Sequence, residues 1–166
     1  MNIPKLRQQK TIKKCHGLSW EDNYAWIHQE NILEVLKDTT TDYCKNRKQF
    51  GQPISKNQVI QFRLVDMMME YEQAKSILYM AITSDLSNSD ERRKVVSALK
   101  SRMGKAIKFV GENAIQLHGG MGMTEEYMIS HYFKRATMIG VLFGNVDYHM
   151  KRFIELTQSN IKKFEN

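Results

Sequence analysis

Two long runs of helical periodicity, with no proline in or between them, constrain this chain more than any other feature. From about Asn57 to Leu86 the apolar residues Ile60, Leu64, Met67, Tyr71, Ala74, Leu78 and Ala81 step by threes and fours, the spacing of one buried stripe on a helix. Val95, Val96, Leu99, Met103, Ala106, Ile107, Val110 and Ala114 repeat the pattern. Ser87-Asn88-Ser89-Asp90 separates the two runs; Asn88 or Ser89 can cap the second helix, and Asp90 and Glu91 suit its positive N-terminal end. A further helix is expected from about Glu30 to Phe50, stopped at Gly51-Gln52-Pro53. Two more are expected over Glu125–Ile139 and from Val141 to about Ile161. Prolines occur only at positions 4 and 53, and strand-like alternation is hard to find. The pattern predicts an all-α bundle of two long antiparallel helices flanked by others. Met67-Met68-Met69 reads as adaptable core packing.

Bulk properties narrow the function classes. The 166 residues fit one domain with a real core, and no apolar run approaches a membrane span. The formal charge of +7 is concentrated in Lys5, Arg7, Lys10, Lys13 and Lys14, which precede the first acid, Glu21. A basic head on a nearly balanced body is a poor nucleic-acid surface, and nucleic acid is not expected as a partner. With only Cys15 and Cys44, a reducing cytoplasm is the expected location. His16, His28, His118, His131 and His149 form no metal-ligand spacing, so no metal site is expected. No nucleophile elbow and no self-contained catalytic set is present.

Chemistry concentrates at two breaks in the helical pattern. Gln116-Leu117-His118-Gly119-Gly120-Met121-Gly122 places three glycines within four positions. Each costs a helix interior roughly 1 kcal/mol relative to alanine, so the cluster marks a deliberate stop and bares backbone N–H groups. A Schellman-type end with Gly119 in the left-handed position is the simplest local reading. Arg47 and Gln58 flank the other break, at facing helix ends. A guanidinium and a carboxamide so placed can grip a diphosphate.

The order of these features is more specific than any one of them. Tyr43-Cys-Lys-Asn-Arg47-Lys-Gln-Phe50-Gly51-Gln-Pro53-Ile54, then Gln58, Leu64-Val-Asp66-Met67, Glu112-Asn113-Ala114-Ile115-Gln116-Leu-His-Gly119-Gly120-Met-Gly122 and Glu126-Tyr127 resembles the acyl-CoA dehydrogenases. The match covers about Thr41 to Arg152 and is to their C-terminal four-helix bundle. The resemblance implies FAD as cofactor, acyl-CoA as substrate in a complete complex, and a place in fatty acid metabolism. It implies that a carboxylate removes the α proton while the β hydride passes to the flavin. Arg47, Phe50, Gln58, Gln116, Gly119, Gly120 and Asn145 would be the cofactor-binding set, in a dimer where one bundle reaches the FAD of its neighbour.

Two departures qualify that implication. The family's glutamate base, just before a glycine after the Gly-Gly loop, corresponds to Phe143 in Leu142-Phe143-Gly144-Asn145, and phenylalanine cannot accept a proton. Glu21 lies in about the range where some branches place the base, but its surroundings do not match, so no catalytic residue is assigned. The family's N-terminal helical and middle β domains have no counterpart here, so this sequence alone is not expected to enclose a flavin. Residues 1–38 differ in texture from 39–166 and carry both tryptophans, Trp20 and Trp26. They are expected to form an irregular extension of separate origin. His16-Gly-Leu-Ser-Trp20-Glu-Asp-Asn-Tyr24-Ala-Trp26-Ile, with Glu30 and Glu34, resembles the start of prolyl oligopeptidase-type peptidases over about residues 12–36. The sequence reads as a C-terminal domain or fragment of an FAD-dependent acyl-CoA dehydrogenase, inactive alone. At best it completes a flavin site with a partner subunit, or self-associates through the bundle. The alternative is a non-catalytic helical interaction module or a decayed gene remnant.

Overall fold

A computed structural model describes residues 10–15, 18–22, 31–84 and 88–164. Five helices dominate them: α1 (Ile32–Asn46), α2 (Gln58–Thr83), α3 (Ser89–His118), α4 (Met128–Val141) and α5 (Val146–Phe164). The all-α expectation holds. α3 is the central element and packs against each of the other four helices. α2 and α3 run antiparallel, tied by Arg63 Nη1 donating to Asn113 Oδ1 at 2.9 Å and by Arg102 reaching Glu70 Oε2 and Gln73 Oε1, both at 2.7 Å.

The stripe on α2 is buried at Met67, Tyr71, Ala74 and Ala81, and that on α3 at Val95, Ala106, Ile107, Val110 and Ala114. Leu33, Leu36 and Cys44 of α1 and Ile129, Tyr132 and Ala136 of α4 complete the core. α1 is continuous across position 38, and Leu33 and Leu36 enter the same core as the later helices. The cap expected ahead of α3 is present: Asn88 Oδ1 accepts from the Asp90 and Glu91 amides at 2.9 and 3.3 Å.

Several expectations are corrected. Within Met67-Met68-Met69 only Met67 is core; Met68 and Met69 are exposed, as are Leu78 and Val96. α1 ends a turn before Phe50, because Arg47 turns extended and Lys48–Gln49 (β3) pairs antiparallel with Gln52–Pro53 (β4) around a Phe50-Gly51 tip. The break between the last two helices falls at 142–145 rather than beside Gly140, which stays helical. Phe143 (φ 60°) and Gly144 (φ 105°) take positive φ there, and Asn145 starts α5 by accepting the Tyr148 amide at 2.9 Å. Part of the head is regular: Thr11–Cys15 (β1) pairs antiparallel with Leu18–Asp22 (β2), in register Thr11↔Asp22 to Cys15↔Leu18. Within this hairpin Lys10 Nζ lies 3.1 Å from Glu21 Oε1. Each arm is only five residues long, which leaves little room for alternation to stand out in the sequence. His16, Tyr24, Trp26 and His28 lie outside the described residues.

Candidate functional site

The end of the bundle where α1 and α3 finish gathers most of the sequence-predicted residues. Tyr43, in the last turn of α1, stacks on His118, the last residue of α3, with ring centroids 4.2 Å apart. Tyr127 closes over the same imidazole at 5.1 Å. His118 is 3% exposed, and its Nδ1 donates to the Ala114 carbonyl at 2.8 Å, leaving Nε2 buried without a partner. Burial pushes its pKa below the usual 6.5, against the smaller opposing effect of that hydrogen bond. A neutral imidazole between two phenols thus joins the α1 terminus to the glycine loop.

From that junction the chain presents its polar groups outward. The Arg47 amide bonds Tyr43 O at 2.8 Å, and Arg47 O accepts from Ile54 at 2.8 Å, which closes the β3–β4 turn against the start of α2. Gln58 is the first residue of α2 and is exposed, like Gln116 in the last turn of α3. Among the described residues, the side chains of Arg47, Gln58 and Gln116 have no hydrogen-bond or ion-pair partner. Phe50 is fully exposed with φ 52°.

Gly119 does not adopt the left-handed cap expected of it. Its φ of 61° comes with ψ −141°, a region open essentially to glycine alone. The chain then continues as a short 3-10 turn, Gly119–Met123. A Cβ placed on Gly119 or Gly120 would meet nothing within 4 Å. The backbone there faces open space, suited to close approach by a phosphate or a ring.

Asn145 is not part of this group. Leu142 O accepts from Lys100 Nζ at 2.8 Å, which sets the 142–145 turn beside a point on α3 about 24 Å ahead of Gln116 at 1.5 Å per residue. Asn145 lines a groove of about 500 Å³ between α3, α4 and the start of α5, with Gly104, Ile107, Phe133 and Val146 among its walls. Phe143, at the position of the expected base, is 90% exposed in the left-handed region. That conformation costs a non-glycine residue roughly 1–2 kcal/mol. Two side chains hold it there: Lys100, and buried His149, whose Nε2 donates to Phe143 O at 2.9 Å. Sequence reasoning read His118 and His149 as ordinary histidines and passed over Lys100. Position alone gave a signal for two of them, His118 directly before the glycine stop and His149 one turn inside a helix start, and Lys100 in the middle of α3 gave none.

A family model for the acyl-CoA dehydrogenase C-terminal domain matches residues 31–155. The chain belongs to the acyl-CoA dehydrogenase family. A probable acyl-CoA dehydrogenase of Bacillus subtilis, YngJ, is 34% identical over 110 residues, covering 66% of this chain and 29% of the relative. Acyl-CoA dehydrogenase FadE34 of Mycobacterium tuberculosis is 29% identical over 157 residues, covering 92% of this chain and 22% of the relative. Among solved structures, the FAD complex of PigA superposes with a TM-score of 0.67 at 26% identity, over 74% of this chain and 32% of that one. The chain spans about a third of the length of the first relatives it matches. It therefore carries the C-terminal domain of this family of flavin-dependent oxidoreductases.

Proposed function

We propose that this chain completes an FAD site in which another polypeptide supplies the remaining domains and the base, for dehydrogenation of an acyl-CoA. One observation carries the reading. At one end of the bundle Arg47, Gln58 and Gln116 offer unpartnered donors and acceptors, and the same end carries the open backbone of Gly119 and Gly120. That donor set fits a dinucleotide. Arg47 gives paired donors to phosphate oxygens, Gln58 and Gln116 hydrogen-bond the polar edges, and the exposed Phe50 ring offers a flat apolar face. FAD, when bound, supplies hydride acceptance. This chain's residues bind and orient it, and Phe143 can exclude water but cannot take the α proton. Asn145, on the separate flank, is kept in this proposal as a further cofactor contact, as the family resemblance implies.

The partner is an acyl-CoA dehydrogenase subunit or a second copy of this chain. The outer face of α2, with Val59, Phe62, Val65 and Met69 all exposed, is where either would pack. Among the described residues no helix is long and apolar enough to cross a membrane, and a cytoplasmic location is part of this proposal. Phe143 and that bare apolar face also favour a second reading, a non-catalytic helical interaction module. In the same proposal residues 1–38 have a separate origin, akin to the start of prolyl oligopeptidase-type peptidases. Its change of texture supports it, and the length of the FadE34 alignment and the continuity of α1 weigh against it. Intact, separate genes of both parent families on either side would end that idea.

The test of the FAD reading is flavin content of the tagged chain purified with its natural partners. Arg47→Ala removes a charge-assisted phosphate contact of about 1.5–3 kcal/mol, so retention should fall roughly tenfold to a hundredfold. Unchanged flavin per chain in Arg47→Ala and Gln116→Ala would defeat the assignment.

A further inference from the structure

The 142–145 turn carries more restraint than a connection between two helices requires. Lys100 Nζ, reaching across from α3, donates to both Ile139 O at 3.2 Å and Leu142 O at 2.8 Å. His149 donates from α5 to Phe143 O, which fixes its tautomer with the proton on Nε2 and leaves Nδ1 buried without a partner. Gly144 makes room for this. A Cβ there would lie 2.6 Å from Tyr148 Cδ1 and 3.0 Å from His149 Nε2. The Gly144 amide closes back on Val141 O at 3.3 Å, and Asn145 Oδ1 fixes the Tyr148 amide. These contacts fix the backbone on both sides of Phe143, and one of them, from His149, is made to Phe143 itself. Phe143 is held in a conformation that disfavours its Cβ, with its ring in solvent. Strained positions persist where the surroundings over-determine them, and they cluster at functional sites.

We propose that Lys100 and His149 are positioning residues that hold position 143 outward in a single conformation, so that the face completing the site meets a preset apolar ring. The inference rests on the reading that this bundle completes a flavin and acyl-CoA site, where position 143 faces the reacting end of the thioester. By the resemblance, position 143 stands where the family's base would be, and what the turn delivers there is an acyl-chain contact in place of a proton acceptor. Lys100 is the principal restraint, because it binds the last turn of α4 and the first residue beyond it together.

The experiment uses the full chain without flavin. Amide hydrogen exchange is followed at Leu142 to Asn145, alongside the fluorine resonance of fluorophenylalanine at position 143, assigned by its loss in Phe143→Leu. Lys100→Met keeps the aliphatic stem and removes both bonds. Exchange across the turn should rise at least tenfold and the single resonance should broaden or split, with melting temperature and exchange in α2 and α3 unchanged. Lys100→Arg and His149→Gln retain a donor and should restore slow exchange and one resonance; His149→Ala should not. Equal acceleration throughout the bundle would make Lys100 a general structural residue and overturn the proposal. So would an unchanged turn in Lys100→Met. A chain that never carries flavin in cells, yet shows the restrained turn, would instead remove the cofactor reading and leave the positioning intact.

Discussion

Replacing Phe143 with glycine should stabilise the protein, although it deletes the largest side chain in its segment. The native φ of 60° places Cβ in the left-handed region, at a cost of roughly 1–2 kcal/mol that glycine does not incur. Glycine gives back about 0.4–1 kcal/mol through the greater freedom of the unfolded chain. The ring is 90% exposed, so its removal forfeits little of the ~25 cal/mol per Å² that burial supplies. The net expectation is a gain of about 0.5–1 kcal/mol, which for a chain of this length raises the melting temperature by roughly 1–4 °C. Phe143→Ala is the control, since it removes the ring and keeps the strained Cβ; it should sit close to the parent. Thermal and urea unfolding of the three proteins decide the matter. If glycine is no better than alanine, the strain is not there. If both variants lose several degrees, the ring is packed rather than presented, and the restraint of the 142–145 turn has another purpose.

The remaining predictions concern burial and charge. His118 has its pKa lowered in the fold, so the unfolded chain binds a proton near pH 6.5 that the native chain refuses until lower pH. Stability should therefore fall as pH drops below about 6.5, and His118→Phe, which keeps the ring stack, should flatten that slope in unfolding curves. A slope unchanged by the substitution would place the titration elsewhere. Burial pushes the Cys44 thiol up to about 11, so peptide mapping after mild alkylation at neutral pH should find Cys44 unmodified until denaturant is added. Rapid native labelling would contradict its place in the core.

The parts of the fold that were legible from sequence follow the reach of the interactions that set them. The stripes of α2 and α3 and the Asn88 cap depend on neighbours three or four residues away, and they appear as read. The break after α4 depends on Lys100 and His149, which lie far from it along the chain or inside the next helix, so the glycine at 140 was a poor guide to it. Met68 and Met69 were misplaced because a helix apolar on both sides does not declare which side this chain covers. In the candidate site, motif order located Arg47, Gln58, Gln116, Gly119 and Gly120 at one end of the bundle. The same reading grouped Asn145 with them, because sequence order carries no measure of the length of α3 that separates the two. The Tyr43–His118–Tyr127 stack was invisible for a related reason: each ring looks like ordinary packing until the ends of two helices meet.

The measurement that bears most directly on the account is a visible absorption spectrum of the chain purified natively from its own cell extract. The account predicts a flavin band in a fraction where this chain travels with a larger polypeptide, and loss of that band with Arg47→Ala. A protein that is colourless in every fraction, alone or in complex, would contradict the role in an FAD site and leave a helical module without flavin chemistry.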